Sequence, residues 1–137
     1  MDLIKQYPFL EINEVCTEKG YTWLDDLEPG WNKAFGLDLC KELKEALIKD
    51  NKLEDFTFIQ IKEKYGELHL YASNYGEETK KVLTKYSTLS KYICAHCGKP
   101  AKYITTGWIY PLCDNCINNV NDNYKKIEDF YKFNSYN

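Results

Sequence analysis

Cys94-x2-Cys97 and Cys113-x2-Cys116, with fifteen residues between the pairs, carry the strongest chemistry in the chain. Thiolates at that spacing close a tetrahedral shell around one Zn²⁺, each sulfur at about 2.3 Å. Four protein ligands leave no open coordination position, so the Zn²⁺ expected here is structural. The rival is a redox dithiol, but that chemistry usually needs one Cys-x-x-Cys at a helix start in a βαβ setting. His96 lies between two ligands and could substitute for one; with four cysteines filling the shell it is expected to face solvent. Cys40 sits beside Leu39 and Leu43 and reads as a small core residue. Cys16 stays ambiguous, and no histidine lies close in sequence to either cysteine.

The second concentration of chemistry is Lys62-Glu63-Lys64-Tyr65-Gly66-Glu67, followed by His69 and Tyr71. One reading is a solvated turn whose charges keep a hairpin soluble. The other is a binding tip formed by Lys62, Lys64, Tyr65, His69 and Tyr71, in which the lysines meet an anionic ligand and Tyr65 stacks. Asp25-Asp26 and Glu77-Glu78 are adjacent, not convergent, and read as loop or helix-start charges instead of an acid/base dyad. Trp23, Trp31 and Trp108 are core candidates first, and any left exposed becomes an interface anchor.

These groups must be positioned by a chain of 137 residues, enough for one domain or for a modest domain plus a small metal-stapled module. A hydrophobic share of 44% with 15% aromatic supports a core and argues against disorder. No apolar run approaches the roughly 20 residues needed to span a bilayer, and Met1 to Lys5 lacks a secretion signal. The expected location is a reducing cytoplasm, where such cysteine pairs bind metal and do not form disulfides. All eighteen basic side chains are Lys. Without the planar guanidinium fork, sequence-specific DNA readout is disfavoured and an arginine-finger role is excluded. Residues 1–90 carry a net charge of −5 and residues 91–137 a net of +2, for a total of −3. A tetrathiolate zinc site subtracts two more from the tail, which leaves no strongly basic face for phosphates.

Trp31, Phe35, Leu39, Leu43, Ala46 and Leu47 recur at three- and four-residue steps and predict an amphipathic helix from Trp31 to Asp50, with Pro29 near its start. Gly36 weakens it locally, and Asn51 ends it. Before it, Leu3, Ile4, Tyr7 and Leu10 suggest a short helix interrupted at Pro8, and Glu11 to Cys16 a second one ending near Gly20. Residues 56–62 and 67–71 read as two strands joined by a turn over Glu63 to Gly66. Glu77 and Glu78 open a further helix, with Val82, Leu83, Tyr86 and Leu89 as its buried stripe. Cys94 to Gly98 forms a knuckle. Ala101 to Ile104 and Trp108 to Tyr110 are expected as a short hairpin around Thr105-Thr106-Gly107. Cys116 is expected to begin a last helix buried through Ile117, Val120, Tyr124, Ile127 and Tyr131.

Taken in order, Gly30-Trp31, Leu39-Cys40, Ile61-Lys62-Glu63-Lys64-Tyr65-Gly66-Glu67-Leu68, Tyr71, Cys94-x2-Cys97-Gly98, Gly107-Trp108 and Leu112-Cys113-x2-Cys116 form a series over roughly residues 28–118. It resembles a family of small phage and prophage proteins that pair a K-E-K-[FY]-G-x-L segment with a C-terminal four-cysteine zinc ribbon. The family pattern has Gly-Leu-Arg-Phe after the shared glycine, whereas this chain reads Gly66-Glu67-Leu68-His69, with His69 in place of the arginine. The resemblance implies a phage context and not a mechanism.

The expected fold is therefore α+β: helices on a small antiparallel sheet over residues 1–90, with a zinc ribbon and terminal helix over 91–137. The expected function is a non-enzymatic binding protein that engages a host protein or a small anionic ligand and interferes with host defence or transcription. The alternative is nucleic-acid binding through Lys91, Lys99, Lys102, Tyr103 and Trp108. An enzyme built on His69, Tyr71 and the lysine-rich tip ranks last, since it has no nucleophile–base spacing or phosphate loop.

Overall fold

The computed structural model describes residues 3–12 and 21–134. The fold is α+β, with two antiparallel sheets and a C-terminal cluster of four cysteines. The helix predicted from Trp31 is built in three continuous parts: α2 (Pro29–Trp31), a π turn (Asn32–Gly36) and α3 (Leu37–Lys49). Trp31, Phe35, Leu39, Leu43, Ala46 and Leu47 are all buried, as the periodicity requires, and Cys40 is buried among them. The π turn has a local cause. Gly36 leaves open the space that the Asn32 amide oxygen occupies, and a Cβ there would collide with it. The run ends where Asn51 takes a left-handed φ of 56°, a conformation that asparagine tolerates better than most residues.

Strands β1 (Thr57–Lys64) and β2 (Glu67–Ser73) pair antiparallel, with Ile61 opposite Leu70 and Lys62 opposite His69. The turn is tighter than the sequence suggested, because pairing continues to Lys64 opposite Glu67 and leaves only Tyr65 and Gly66 outside the ladder. Both have positive φ, 55° and 77°, the signature of a two-residue turn matched to strand twist. A bulge between Phe58 and Gln60 puts Ile59 into solvent and keeps Phe58 and Ile61 buried.

Helix α4 (Glu77–Ser90) packs against α3 and β2. Its N-terminus is capped from α3: the Asp50 carboxylate accepts the N–H groups of Gly76 (3.1 Å), Glu78 (3.2 Å) and Thr79 (2.8 Å). The buried stripe is Thr79, Leu83, Tyr86 and Ser90; Val82 is half-buried and Leu89 is exposed, against expectation. Ser90 takes the inward position because its hydroxyl accepts the otherwise unpaired Leu68 N–H of β2 (2.8 Å) and donates to Ser87 O (2.6 Å).

The C-terminal third departs most from the expectation. The hairpin strands are β3 (Tyr103–Thr105) and β4 (Pro111–Leu112), so residues 108–110 lie in the connecting loop and not in a strand. Cys116 begins only a 3₁₀ turn (Cys116–Asn119). The chain then adds β5 (Tyr124–Lys126) to the other edge of β3 before α5 (Ile127–Asn134). A single helix from Cys116 is broken by Asn118, Asn119, Asn121, Asp122 and Asn123, whose side chains compete for backbone groups. Asn118 bonds Asp114 O, and Asp122 accepts the N–H groups of Gly107 and Trp108. In the N-terminal region α1 (Leu3–Gln6) and a 3₁₀ turn (Pro8–Leu10) replace one interrupted helix. Glu11 forms an isolated bridge to Thr22, which excludes a helix start there. Cys16 and Gly20 lie outside the described residues.

The four-cysteine segment is joined to the main core through one close backbone contact. Gly30 donates its N–H to Ala95 O (2.7 Å), and Trp31 Nε1 donates to Ile93 O (3.0 Å). A Cβ on Gly30 would overlap the Cys94 carbonyl oxygen and come within 2.6 Å of the Ala95 carbonyl carbon. Both obstacles are backbone and cannot swing away. Gly30→Ala is therefore expected to cost about 3 kcal/mol in urea denaturation, the upper end for overpacking. Gly36→Ala meets side chains alone, Asn32 closely and Leu24 at 3.4 Å, and is expected to cost clearly less. Equal losses for the two variants would contradict the contact.

Asp50 gives a pH signature. Partial burial works against its ionisation, but the N–H groups of Thr79, Glu78 and Gly76 outweigh it and hold the carboxyl below its ordinary 3.8. A depressed folded value means the contribution is present above the unfolded pKa and lost as pH falls through the folded one. Below about pH 4, Asp50→Ala is expected to lose less stability per pH unit than the parent in acid titrations of Tm.

Candidate metal centre and the adjoining cleft

Sγ atoms of Cys94, Cys97, Cys113 and Cys116 all lie within 4.8 Å of one another. Cys97 Sγ and Cys113 Sγ are 3.5 Å apart, close to the edge of about 3.8 Å for a tetrahedron with 2.3 Å metal–sulfur bonds. All four are free thiols; Cys94 and Cys113 are buried and the other two half-buried. The donor set thus fits a tetrahedral ion with an affinity for soft ligands. The first knuckle is shaped by Gly98 at φ 87°, whose N–H bonds Cys94 O (3.0 Å) while Cys94 N–H bonds Lys99 O (2.7 Å). In the second, Cys113 Sγ accepts the Cys116 N–H at 3.4 Å. Burial disfavours the Cys113 thiolate, but this N–H, that of Asn115 and the neighbouring thiols outweigh it and draw its pKa down to about 7. Burial and the neighbouring thiols push Cys116 the other way, so the four thiols hold their protons unequally until a metal displaces them. His96 is exposed, as expected, and packs edge-on against Tyr110 at 5.4 Å.

The hairpin residues singled out in the sequence do not converge on one site. Lys62, His69 and Tyr71 share the outer face of the β1–β2 pair: Lys62 Nζ sits 5.9 Å from the Tyr71 ring centroid, and His69 stacks on Tyr71 at 6.0 Å. Glu67 satisfies this face internally, with His69 Nε2 at 3.4 Å and Lys91 Nζ at 3.7 Å. Lys64 and Tyr65 belong elsewhere. The tip packs onto the four-cysteine module, where a Cβ on Gly66 would touch Ile109 and Ile104 side chains at 3.2 and 3.4 Å. Beside that contact a cleft of about 250 Å³ is lined by Glu63, Lys64, Tyr65, Gly107, Trp108 and Ile109.

Trp108 is 73% exposed and Tyr65 72%, so the expectation that Trp108 lies in the core fails, whereas Trp31 is fully buried. The reason is the loop. Asp122 accepts the N–H groups of Gly107 (3.2 Å) and Trp108 (2.9 Å), and Thr105 Oγ1 donates to Trp108 O. A Cβ on Gly107 would stand 2.5 Å from the Asp122 carboxylate. The backbone is held from both sides and the indole points outward. Sequence reasoning missed Glu63, Glu28 and Asp122 as neighbours of this surface. The one signal available was Gly107-Trp108 itself, an aromatic following glycine in a loop between strands.

Of the basic residues around the module, Lys102 pairs with Asp114 at 3.5 Å and Lys91 with Glu67, which reduces what they can offer to phosphates. Among the described residues no helix is long and apolar enough to cross a membrane. Fold and site together describe an α+β protein with a cluster of four cysteines that could hold a metal ion. Comparison with protein-family models, curated proteins and solved structures returns no match for this chain.

Metal removal by a strong chelator is expected to lower Tm by more than 10 °C, because the energy of metal ligation contributes to folding. Thermal melts before and after dialysis against chelator, with metal content measured in parallel, check this. An unchanged melt in metal-free protein would count against the site.

Proposed function

We propose that the chain is a non-enzymatic binding module, stapled by a structural Zn²⁺ on Cys94, Cys97, Cys113 and Cys116, whose binding face is the cleft between the hairpin tip and the module loop. Zinc suits four thiolates in a closed tetrahedral shell, with no position left for a substrate. The observation that carries the binding face is the pairing of Tyr65 and Trp108. These are the two most exposed large apolar side chains among the described residues, and both line one cleft.

Each is displayed from a constrained backbone. Tyr65 occupies the left-handed region, where a glycine or asparagine is favoured and a tyrosine costs on the order of 1 kcal/mol. Tolerated strain that exposes an aromatic ring is a feature of sites that hold a ligand. Rigid aromatic anchors also lose little entropy on binding and are enriched among hot spots. The partner is a protein: Lys91 and Lys102 of the module are already paired with carboxylates, and the cleft itself carries Glu63. The resemblance to small phage and prophage proteins supports a host protein as that partner, in the host cytoplasm, with interference in host defence or transcription as the outcome.

Trp108→Ala is expected to abolish recovery of the partner from host lysate while shifting stability by no more than about 0.5 kcal/mol, as befits an exposed residue. Tyr65→Asn separates the two roles further: it relieves the turn and is expected to raise Tm, yet to weaken partner recovery. Retention of the same partner by both variants would sink this reading.

A further inference from the structure

We propose that the cleft between Tyr65 and Trp108 receives an arginine side chain from an exposed segment of the partner protein, an inference that rests on this cleft being the binding face. The cleft's volume of about 250 Å³ is below the range of small-molecule sites and suits one long side chain. Its charge selects the sign. Glu63 lines it directly, and a second cavity of about 470 Å³ that shares Trp108 is lined by Glu28, Glu63 and Asp122 together with His96. Lys64 is the single opposing ammonium in the first cleft, and no lysine lines the second.

The carboxylates are already fixed in place. Glu63 Oε2 accepts the Gly66 N–H at 2.8 Å, Glu28 accepts the Tyr110 hydroxyl, and Asp122 holds the Gly107 and Trp108 amides. A carboxylate offers about four acceptor directions, so each retains capacity for a further donor. Indole and phenol faces beside anchored carboxylates match a guanidinium, which stacks on aromatic rings while presenting a planar fork of N–H donors. Tyr65 already attracts a cation, with Lys64 Nζ 5.8 Å from its ring centroid. The chain contains no arginine, so no guanidinium of its own competes for the cleft.

The test uses the full-length, metal-loaded protein and a short fluorescent Gly-Arg repeat peptide, with Gly-Lys, Gly-Glu and oligothymidylate probes for comparison. Anisotropy titration is expected to rank Gly-Arg above Gly-Lys, with no binding of the two anionic probes. Trp108→Ala and Glu63→Gln are each expected to weaken Gly-Arg binding about tenfold. Gln at 63 keeps an acceptor for the Gly66 N–H, and an unchanged melt verifies that fold. Lys64→Ala is expected to tighten binding, because it removes the one like charge; an anion site would respond in the opposite direction. No Gly-Arg binding, or binding indifferent to Trp108, overturns the proposal. Trp108-dependent binding of Gly-Glu or oligothymidylate overturns the arginine assignment and leaves the binding face standing. Partner recovery that depends on neither Tyr65 nor Trp108 overturns both.

Discussion

The structure depends on one close approach, the Gly30 backbone lying against the peptide that joins Cys94 to Ala95. Only a residue without a side chain can occupy that place. Through it the start of the longest helix docks on the first knuckle, with Gly98 approaching Gly30 O from the other side. Trp31 follows immediately. It is fully buried and its indole N–H is spent on Ile93 O, so the largest core side chain is also the one that grips the module's entry. Ala95, between two cysteines in sequence, belongs to the same buried core cluster as Leu39 and Phe35. Energy released by a metal ligated at the cysteines would therefore stabilise the helix and everything that packs on it, and not the module alone.

A second junction follows from the first. With the module fixed at Gly30, its loop stands where the β1–β2 turn arrives, and Gly66 fits against Ile104 and Ile109. A two-residue turn of this type needs positive φ at both positions. Gly66 supplies one freely and Tyr65 supplies the other under strain. The register of β1 on β2 leaves no alternative, since Lys64 still pairs with Glu67. The geometry of the cleft is thus set by two things remote in sequence, hairpin register and metal-module position. Its two aromatic walls come from residues 43 positions apart.

How far the sequence revealed this follows from which signals were local. The α2–α3 stripe, the alternating strands and the four cysteines are periodic or spaced motifs, and each element formed where its pattern lies. The π turn at Asn32 to Gly36 was not legible, because it depends on a side-chain oxygen filling the space that a glycine leaves. Strand β5 was not legible either. Tyr124, Lys125 and Lys126 are exposed and carry no apolar alternation; backbone pairing to β3, with Tyr124 edge-on against Tyr103, makes them a strand. The 3,4 rhythm from Ile117 to Tyr131 misled because Ile117 and Val120 serve the cysteine cluster and Ile127 the helix beyond the strand. For the site, residue types were right at Lys64 and Tyr65 but their company was not. Sequence neighbours Lys62, His69 and Tyr71 turn to the far face, and Trp108 arrives from the module.

The acidic character of the cleft and of the cavity beside it follows from the same hydrogen bonds that hold the fold. Glu63 terminates the hairpin, Asp122 fixes the module loop, and Glu28 ties the start of the long helix to Tyr110. Burial and the Glu28 carboxylate together push the Tyr110 phenol far above its ordinary range, so it stays a donor at any physiological pH. None of these carboxylates can be replaced by a lysine without releasing a local backbone or side-chain donor. Their acceptor oxygens are consequently tied to the architecture, whereas Lys64, on the cleft with Glu63, is exposed and lies near the face of Tyr65. An anion in the cleft would have to work against Glu63, with Glu28 and Asp122 lining the adjoining cavity. A cation works only against one dispensable ammonium.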